Sequence, residues 1–384
     1  MSATADVVVV GGGAVGVSAA YHLAAAGAGR VLLLERADSL GMGSTGACAG
    51  GFRFQFSSRI NIQLSLASVP MITGFSDVHG LPLDVWRDGY LFLVRDPVEW
   101  EAFGRAAELQ RSLGVDVRML SPEEATEVAP GISLENVVGA TYCPDEGIAD
   151  PSGLTNGYAT LARGAGAEIR TGVEVEQISS VRGLVTGVVT NRERIQSPVV
   201  VNAAGPWAGP LAATCGVDVP IEPIPRNVVV TGSFPDAPER RTLVIDAETS
   251  FYFHREGDGV LMGMGGRDEH ASFDTSVDRR FVEERLLPTA MRVFPPVAEA
   301  EVRAMWNGLY EMTPDRHPII GPVQGLGGLY LANGFSGHGF QHAPIVGKLL
   351  AEMIVGGRAK TIDVSSLSLE RFARGDLVPE SRVV

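Results

Sequence analysis

Four groupings in this 384-residue chain have the residue types and spacing to do chemistry. Residues 6–16 read DVVVVGGGAVG, which puts Gly11, Gly13 and Gly16 at G-x-G-x-x-G spacing, with the acid Glu35 further on. Such glycines serve a tight turn, close approach of backbone to a pyrophosphate, and close helix packing, while the acid accepts hydrogen bonds from a ribose. Near the other end, GFSGHGFQHAP (334–344) sets Gly334, Gly337 and Gly339 around His338, with His342 one helical turn on. A third candidate is Arg53, between phenylalanines in GGFRFQF, whose guanidinium offers a planar two-donor fork to a carboxylate. The fourth is Tyr252 with His254, which alternate with Phe251 and Phe253 and so share one face of a strand.

The histidine spacing invites a metal, yet zinc needs a third ligand. Neither a cysteine nor an H-E-x-x-H acid accompanies the pair, so no metal is expected. Pro344 suits a first helical turn, where its missing N–H is unpaired anyway. The helix is therefore expected to begin at 341–343, leaving His338 in the turn and the two histidines on no common helix face. Glycines there let N–H groups approach a planar ring edge. The helix N-terminus favours negative charge by about 0.3–1 kcal/mol when exposed, and by up to ~2 kcal/mol when partly buried.

The elements that must position these groups are legible. DVVVV, GGGAVG, SAAYHLAAAGA and VLLLE read as strand, glycine turn, helix and strand of one βαβ unit. Glu35 at its end favours an unphosphorylated adenosine ribose over that of NADP. A helix-like LTNGYATLARGAG precedes a strand over 167–181, and VTGVVTN and SPVVVNAAGPWAG supply two more. Residues 86–95 and 226–266 are strand-rich, with a hairpin around Gly257 and Gly259, and a helix spans 98–114. GGLYLANG reads as a strand and HAPIVGKLLAEMIVGG as a helix.

Composition narrows the class. With 45% hydrophobic residues the chain can bury a large core. A net charge of −14 argues against nucleic acid and anionic membranes as partners. Cys48, Cys143 and Cys215 are odd in number and form no C-x-x-C, which fits a reduced, cytoplasmic protein. No secretory leader or membrane span is expected. Lys348 and Lys360 are the only lysines.

Taken together, GGGAVG with Glu35, STGACAGGFRFQF (44–56), VNAAGPWAG (201–209), TPDRHPIIGP (313–322) and NGFSGHGFQHAPIVGKLLAEMI (333–354) resemble the D-amino-acid oxidase (DAO) superfamily of FAD enzymes. FRFQFSSRINIQLSLAS and TIDVSSLSLERF are most similar to the mitochondrial FAD-dependent oxidoreductase domain-containing proteins, beside the sarcosine oxidase and proline dehydrogenase β-subunit group. The resemblance covers essentially the whole chain. It implies an α/β protein with an α+β cap: a Rossmann-like FAD-binding domain (1–85, 145–215 and 315–384) interleaved with an antiparallel β-sheet substrate domain (86–144 and 216–314).

The same resemblance implies roles. Gly11, Gly13, Ala14, Val15, Gly16, Glu35 and Arg36 would hold the ADP half of FAD, and Ser44 and Thr45 the pyrophosphate or flavin edge. Val175 would sit by the adenine, with Ala203, Ala204, Gly205 and Trp207 along the crevice. Gly334, Gly337, His338, Gly339, Phe340 and Gln341 would face the pyrimidine end of the ring. Arg53, Tyr252, His254, His338 and Gln341 are the candidate catalytic and substrate-binding residues. Trp306, Tyr310, Arg316 and His317 read equally as site walls or as structure.

Departures from the family pattern refine this. Where relatives attach flavin through histidine, this chain has Gly46 and Ala47, and where sarcosine oxidase uses cysteine it has Gly308, so FAD is expected to be non-covalent. Gln341 replaces the lysine of sarcosine oxidase, and no lysine precedes Lys348. The expected reaction is oxidation of the C–N bond of a secondary, N-methyl or cyclic amino acid to an imine by hydride transfer to flavin N5, passing electrons to O2 or another carrier. Two alternatives stay open: a flavin hydroxy-acid dehydrogenase, and an FAD-containing assembly or interaction protein. For each reading a partner subunit or a homo-oligomer stays open.

Overall fold

The structure, a computed structural model, describes residues 3–266 and 270–381. Val7–Val10 and Val31–Leu34 are buried along their whole length, as strands covered on both faces must be. They lie inside a six-stranded sheet ordered Glu168–Arg170, Val31–Leu34, Val7–Val10, Val199–Asn202, Leu329–Asn333, Ile319–Pro322. Every neighbouring pair is parallel except the last. Gly11, Glu35, Ala203 and Gly334 therefore follow the carboxyl ends of adjacent strands, where open α/β sheets bind ligands.

Ala14–Ala25 packs along the helix Gly339–Gly356. A Cβ on Gly347 would stand 2.3 Å from Ser18 Oγ, so glycine sets the closeness of the two helices. That second helix begins earlier than Pro344 suggested. It starts at Gly339 with His338 as N-cap, and the His342 N–H already donates to the His338 carbonyl at 3.2 Å. The two imidazoles are thus neighbours one turn apart, with ring centroids at 6.2 Å. Gly337, at φ 93°, completes the turn just before the helix, and Pro344 lies inside it at the cost of one ladder bond.

Sheet-forming residues of two inserts build a second sheet of eight strands, ordered Val302–Met312, Glu222–Thr231, Gly259–Gly263, Phe251–Glu256, Leu243–Asp246, Tyr90–Val94, Gly139–Cys143, Arg118–Leu120. The expected hairpin is present, with Glu256 paired to Gly259. The sheet is antiparallel except where Leu243–Asp246 runs parallel to Tyr90–Val94. A parallel neighbour needs a long crossover, and the passage of the chain back through the first sheet supplies it. Residues 167–181 form two strands, not one. Glu168–Arg170 closes the first sheet, Gly172 turns at φ 64°, and Val175–Val181 joins a separate four-stranded sheet. No helix among the described residues is long and apolar enough to cross a membrane.

Candidate active site

A cavity of about 820 Å³ runs from the glycine turn to the second sheet. At its nucleotide end the shape is set by main chain. A Cβ on Gly11 (φ 108°) would lie 2.3 Å from the Ala203 carbonyl oxygen, and one on Gly16 would lie 1.9 Å from that of Gly11. The helix Ala14–Ala25 has no side-chain cap at Gly13, so its first-turn N–H groups and positive dipole end face the cavity. Thr45 Oγ1 accepts the Ala14 N–H at 3.1 Å. Glu35 is clamped by backbone: Oε2 accepts from Gly12 N–H at 2.6 Å and Oε1 from Ala37 N–H at 2.8 Å. The Arg36 guanidinium lies over Trp207 at 3.5 Å. Residues 173–176, with Ala203, Ala204 and Gly205, complete this end.

The other end is lined by Arg226, Tyr252, Tyr310, Phe335, Gly337 and Phe340, and Glu311 stands between the two ends. Arg226 is buried on its strand, its N–H donating to Asn307 Oδ1 at 2.7 Å and its guanidinium 4.7 Å from the Tyr310 ring. Gly337 fits under that same ring, where a Cβ would come within 2.5 Å. Burial pushes the Tyr252 hydroxyl well above its usual range, so it stays protonated. Burial likewise lifts the Cys48 thiol to about 11 and the Glu311 carboxyl to about 7.

Behind this wall lies a buried polar network. Arg53 Nη1 donates to the Gln55 carbonyl, Nη2 meets His338 Nε2 at 3.3 Å, and the guanidinium sits 4.0 Å from the Phe56 ring. Because arginine only donates, His338 Nε2 accepts, which places the proton on Nδ1. Desolvation first, and the Arg53 charge second, drive His338 well below its ordinary pKa and His342 down to about 3. Gln341 clips the backbone of Arg53 in both directions: Oε1 accepts its N–H at 2.9 Å and Nε2 donates to its carbonyl at 3.2 Å. Glu146 accepts the Phe54 and Gln55 N–H groups and the Gln55 side chain. Burial lifts Glu146 to about 7 against those bonds. Near the end of the described chain, Glu380 accepts the N–H groups of Ser57 and Ser58 at 2.9 and 3.0 Å and the Asn61 amide at 3.2 Å.

Of the residues expected from sequence, Gly11, Gly13, Ala14, Val15, Glu35, Arg36, Ser44, Thr45, Val175, Ala203, Ala204, Gly205, Trp207, Tyr252, Gly337, Gly339 and Phe340 line the cavity. Gly16 stands behind Gly11. Gly334, packed on Thr313, does not line it, nor do Arg53, His254, His338 and Gln341. His254 is buried on the face it shares with Tyr252, its Nδ1 2.8 Å from the Arg255 carbonyl, and burial lowers it to about 4. His317 meets Ser58 Oγ at 2.8 Å, away from the cavity. Sequence reasoning missed Arg226, Glu311, Glu146 and Glu380. The available signal was a charge inside an apolar strand, as in EPIPRNVVVT and NGLYEM.

The model of the FAD dependent oxidoreductase (DAO) family matches residues 6–353. FAD-dependent oxidoreductase domain-containing protein 1 of Bos taurus is 33% identical over 98% of this chain and 86% of its own length. The crystal structure of L-proline dehydrogenase from P. horikoshii superposes with a TM-score of 0.91 at 33% identity, over 98% of this chain and 100% of that one. Mitochondrial dimethylglycine dehydrogenase of Mus musculus is 30% identical over 96% of this chain, which spans 44% of that longer protein. The cavity suits FAD on its own terms: a turn that only glycine fits at Gly11 and Gly16, a helix N-terminus whose first turn faces the cavity, and an aromatic far end. The chain belongs to the FAD-dependent oxidoreductase family.

Proposed function

We propose that this chain oxidises the C–N bond of a secondary, N-methyl or cyclic amino acid to an imine. The observation that carries the reading is the far end of the cavity, where Arg226, Tyr252 and Tyr310 face the glycine turn and buried Arg53 stands behind them. The relatives named for dimethylglycine, sarcosine and proline support the substrate class. Bound FAD supplies a hydride acceptor. In the reaction the substrate's Cα–H leaves as hydride, its nitrogen loses a proton as C=N forms, and two electrons pass on to O2 or another carrier.

The residues of the chain bind and orient. From behind the wall Arg53, held in place by Gln341 and His338, attracts the substrate carboxylate by its charge, while Arg226 lines the cavity itself. Tyr252, neutral because buried, walls off water beside the reacting carbon. Gly337, Gly339 and Phe340 would set the turn and helix N-terminus beside the flavin ring, where a positive dipole end favours negative charge. Gly11, Gly13, Glu35 and Arg36 would hold the adenosine diphosphate of FAD.

Non-covalent attachment is supported by Gly46, Ala47 and Gly308. A Cβ on Gly308 would lie 2.8 Å from that of Ala47, so both family attachment positions meet here without a nucleophile. The free thiols suit a reducing compartment such as the cytoplasm. The test is anaerobic bleaching of the purified yellow protein with a panel of N-methyl, cyclic, D- and L-amino acids and hydroxy acids. Bleaching by amines is expected. Bleaching by hydroxy acids alone, or by none of the panel, overturns the reading.

A further inference from the structure

The feature the proposed reaction leaves unused is Glu311. It lines the cavity, the N–H groups of Gly334 and Phe335 donate to its carboxylate, and its Oε2 is buried with no hydrogen-bond partner among the described residues. A buried acceptor without a donor is costly, so the site calls for an incoming O–H or N–H.

Its place along the cavity says which. On one side Oε2 lies 3.9 Å from where a Cβ on Gly205 would stand, and Gly205 follows Ala203, whose carbonyl packs on Gly11. On the other side its donors Gly334 and Phe335 lead into Gly337, and its strand neighbour Tyr310 covers that glycine. Glu311 therefore stands between the glycine turn, which takes a pyrophosphate, and the aromatic end, which takes a flat ring. In FAD the segment joining those two groups is the ribityl chain, which carries three hydroxyls, each a donor.

We propose that Glu311 accepts a hydrogen bond from a ribityl hydroxyl of FAD and so fixes the ring at the substrate end. The inference rests on the family's FAD and not on which amine is oxidised. A carboxyl accepts in either protonation state, so the carboxyl's rise toward 7 does not impair the role.

The test is FAD affinity of the apoprotein, read by quenching of flavin fluorescence, and it needs no substrate. Glu311→Leu is expected to weaken FAD by about tenfold or more, and Glu311→Gln, which keeps an acceptor, by clearly less. With FAD analogues lacking the 2′, 3′ or 4′ hydroxyl in turn, one analogue should bind the wild type more weakly than FAD does. That same analogue should bind Glu311→Leu no worse than FAD binds it. Equal losses for FAD and all three analogues would mean that Glu311 only shapes the fold, which overturns the proposal. Unchanged FAD affinity with impaired anaerobic bleaching by the amine would assign Glu311 to the substrate and overturns it equally. If Glu311→Leu does not fold, the Gln variant decides: with the preferred hydroxyl removed, it and the wild type should bind alike, and a persisting difference refutes the role.

Discussion

At the nucleotide end of the cavity, main-chain atoms define the shape: Gly11 against the Ala203 carbonyl, Gly16 against that of Gly11, Glu35 gripped by two N–H groups. Behind the substrate end, a side-chain network supports the wall, and its members come from far apart in sequence. Arg53 meets His338 across 285 residues, and Glu380 meets Ser57 across 323. A main-chain cradle admits almost no substitution but needs few residues. A side-chain network can be altered piece by piece, and its partial failures should be graded. The difference predicts which variants lose the cofactor and which keep it while losing substrate.

The largest effect belongs to the cradle. Gly16→Ala puts a methyl 1.9 Å from the Gly11 carbonyl oxygen, and neither backbone can yield without opening the turn. Overpacking of this kind costs upward of ~3 kcal/mol. The purified variant is expected colourless, with a lowered melting temperature. Retained flavin absorbance at wild-type stability would break the comparison.

At the network end the next effect is electrostatic. Glu146 is fully buried, and its carboxyl is raised from 4.5 to about 7 because desolvation outweighs the Gln55 side chain and the two N–H donors. The folded state holds this proton more tightly than the unfolded chain does. Stability from this group is full below about pH 4.5 and drains away as pH rises through 7, by up to ~3 kcal/mol. Glu146→Gln keeps a carbonyl for the N–H groups and removes the titration. The wild-type-minus-variant difference in urea unfolding should therefore fall between pH 5 and 8, and a flat difference would count against it.

The nucleotide end was readable because its parts are local: glycine spacing, a β-branched run and an acid at a strand end specify main-chain geometry within one βαβ unit. The parallel strands were recognisable singly as apolar runs, but their order in the sheet was not. What could not be read were pairings between inserts, such as Leu243–Asp246 beside Tyr90–Val94. Nor could the charges buried among them, because Arg226 and Glu311 look in sequence like misplaced residues in apolar strands. The GHGFQH stretch was half legible. Its turn was evident, but Pro344 suggested a later helix start than the His338 N-cap provides.

A smaller effect should follow Arg53→Lys. The ammonium cannot donate in one plane to both the Gln55 carbonyl and His338, so geometry is lost while charge remains. With the substrate found by bleaching, kcat/KM should fall by about 10–100-fold, or ~1.4–2.7 kcal/mol, with FAD content unchanged. Loss of FAD in this variant would erase the distinction between the two ends.

The smallest predicted effect is at Gln341. Sarcosine oxidases carry lysine here, which suggests that Gln341→Lys should move this chain toward sarcosine. The hydrogen bonds argue otherwise. Gln341 uses both halves of its amide on Arg53 and also donates to Ser65 Oγ at 3.0 Å. Lysine can replace the donations but offers nothing to the Arg53 N–H, and its charge would sit beside a guanidinium already lowered by desolvation. Leaving that buried N–H unpaired costs ~1–2 kcal/mol, so a modest drop in melting temperature and a severalfold rise in KM are expected, with full flavin and no faster bleaching by sarcosine. Faster bleaching by sarcosine would mean that residue 341 reaches the substrate directly, and that the network behind Tyr310 opens when substrate binds.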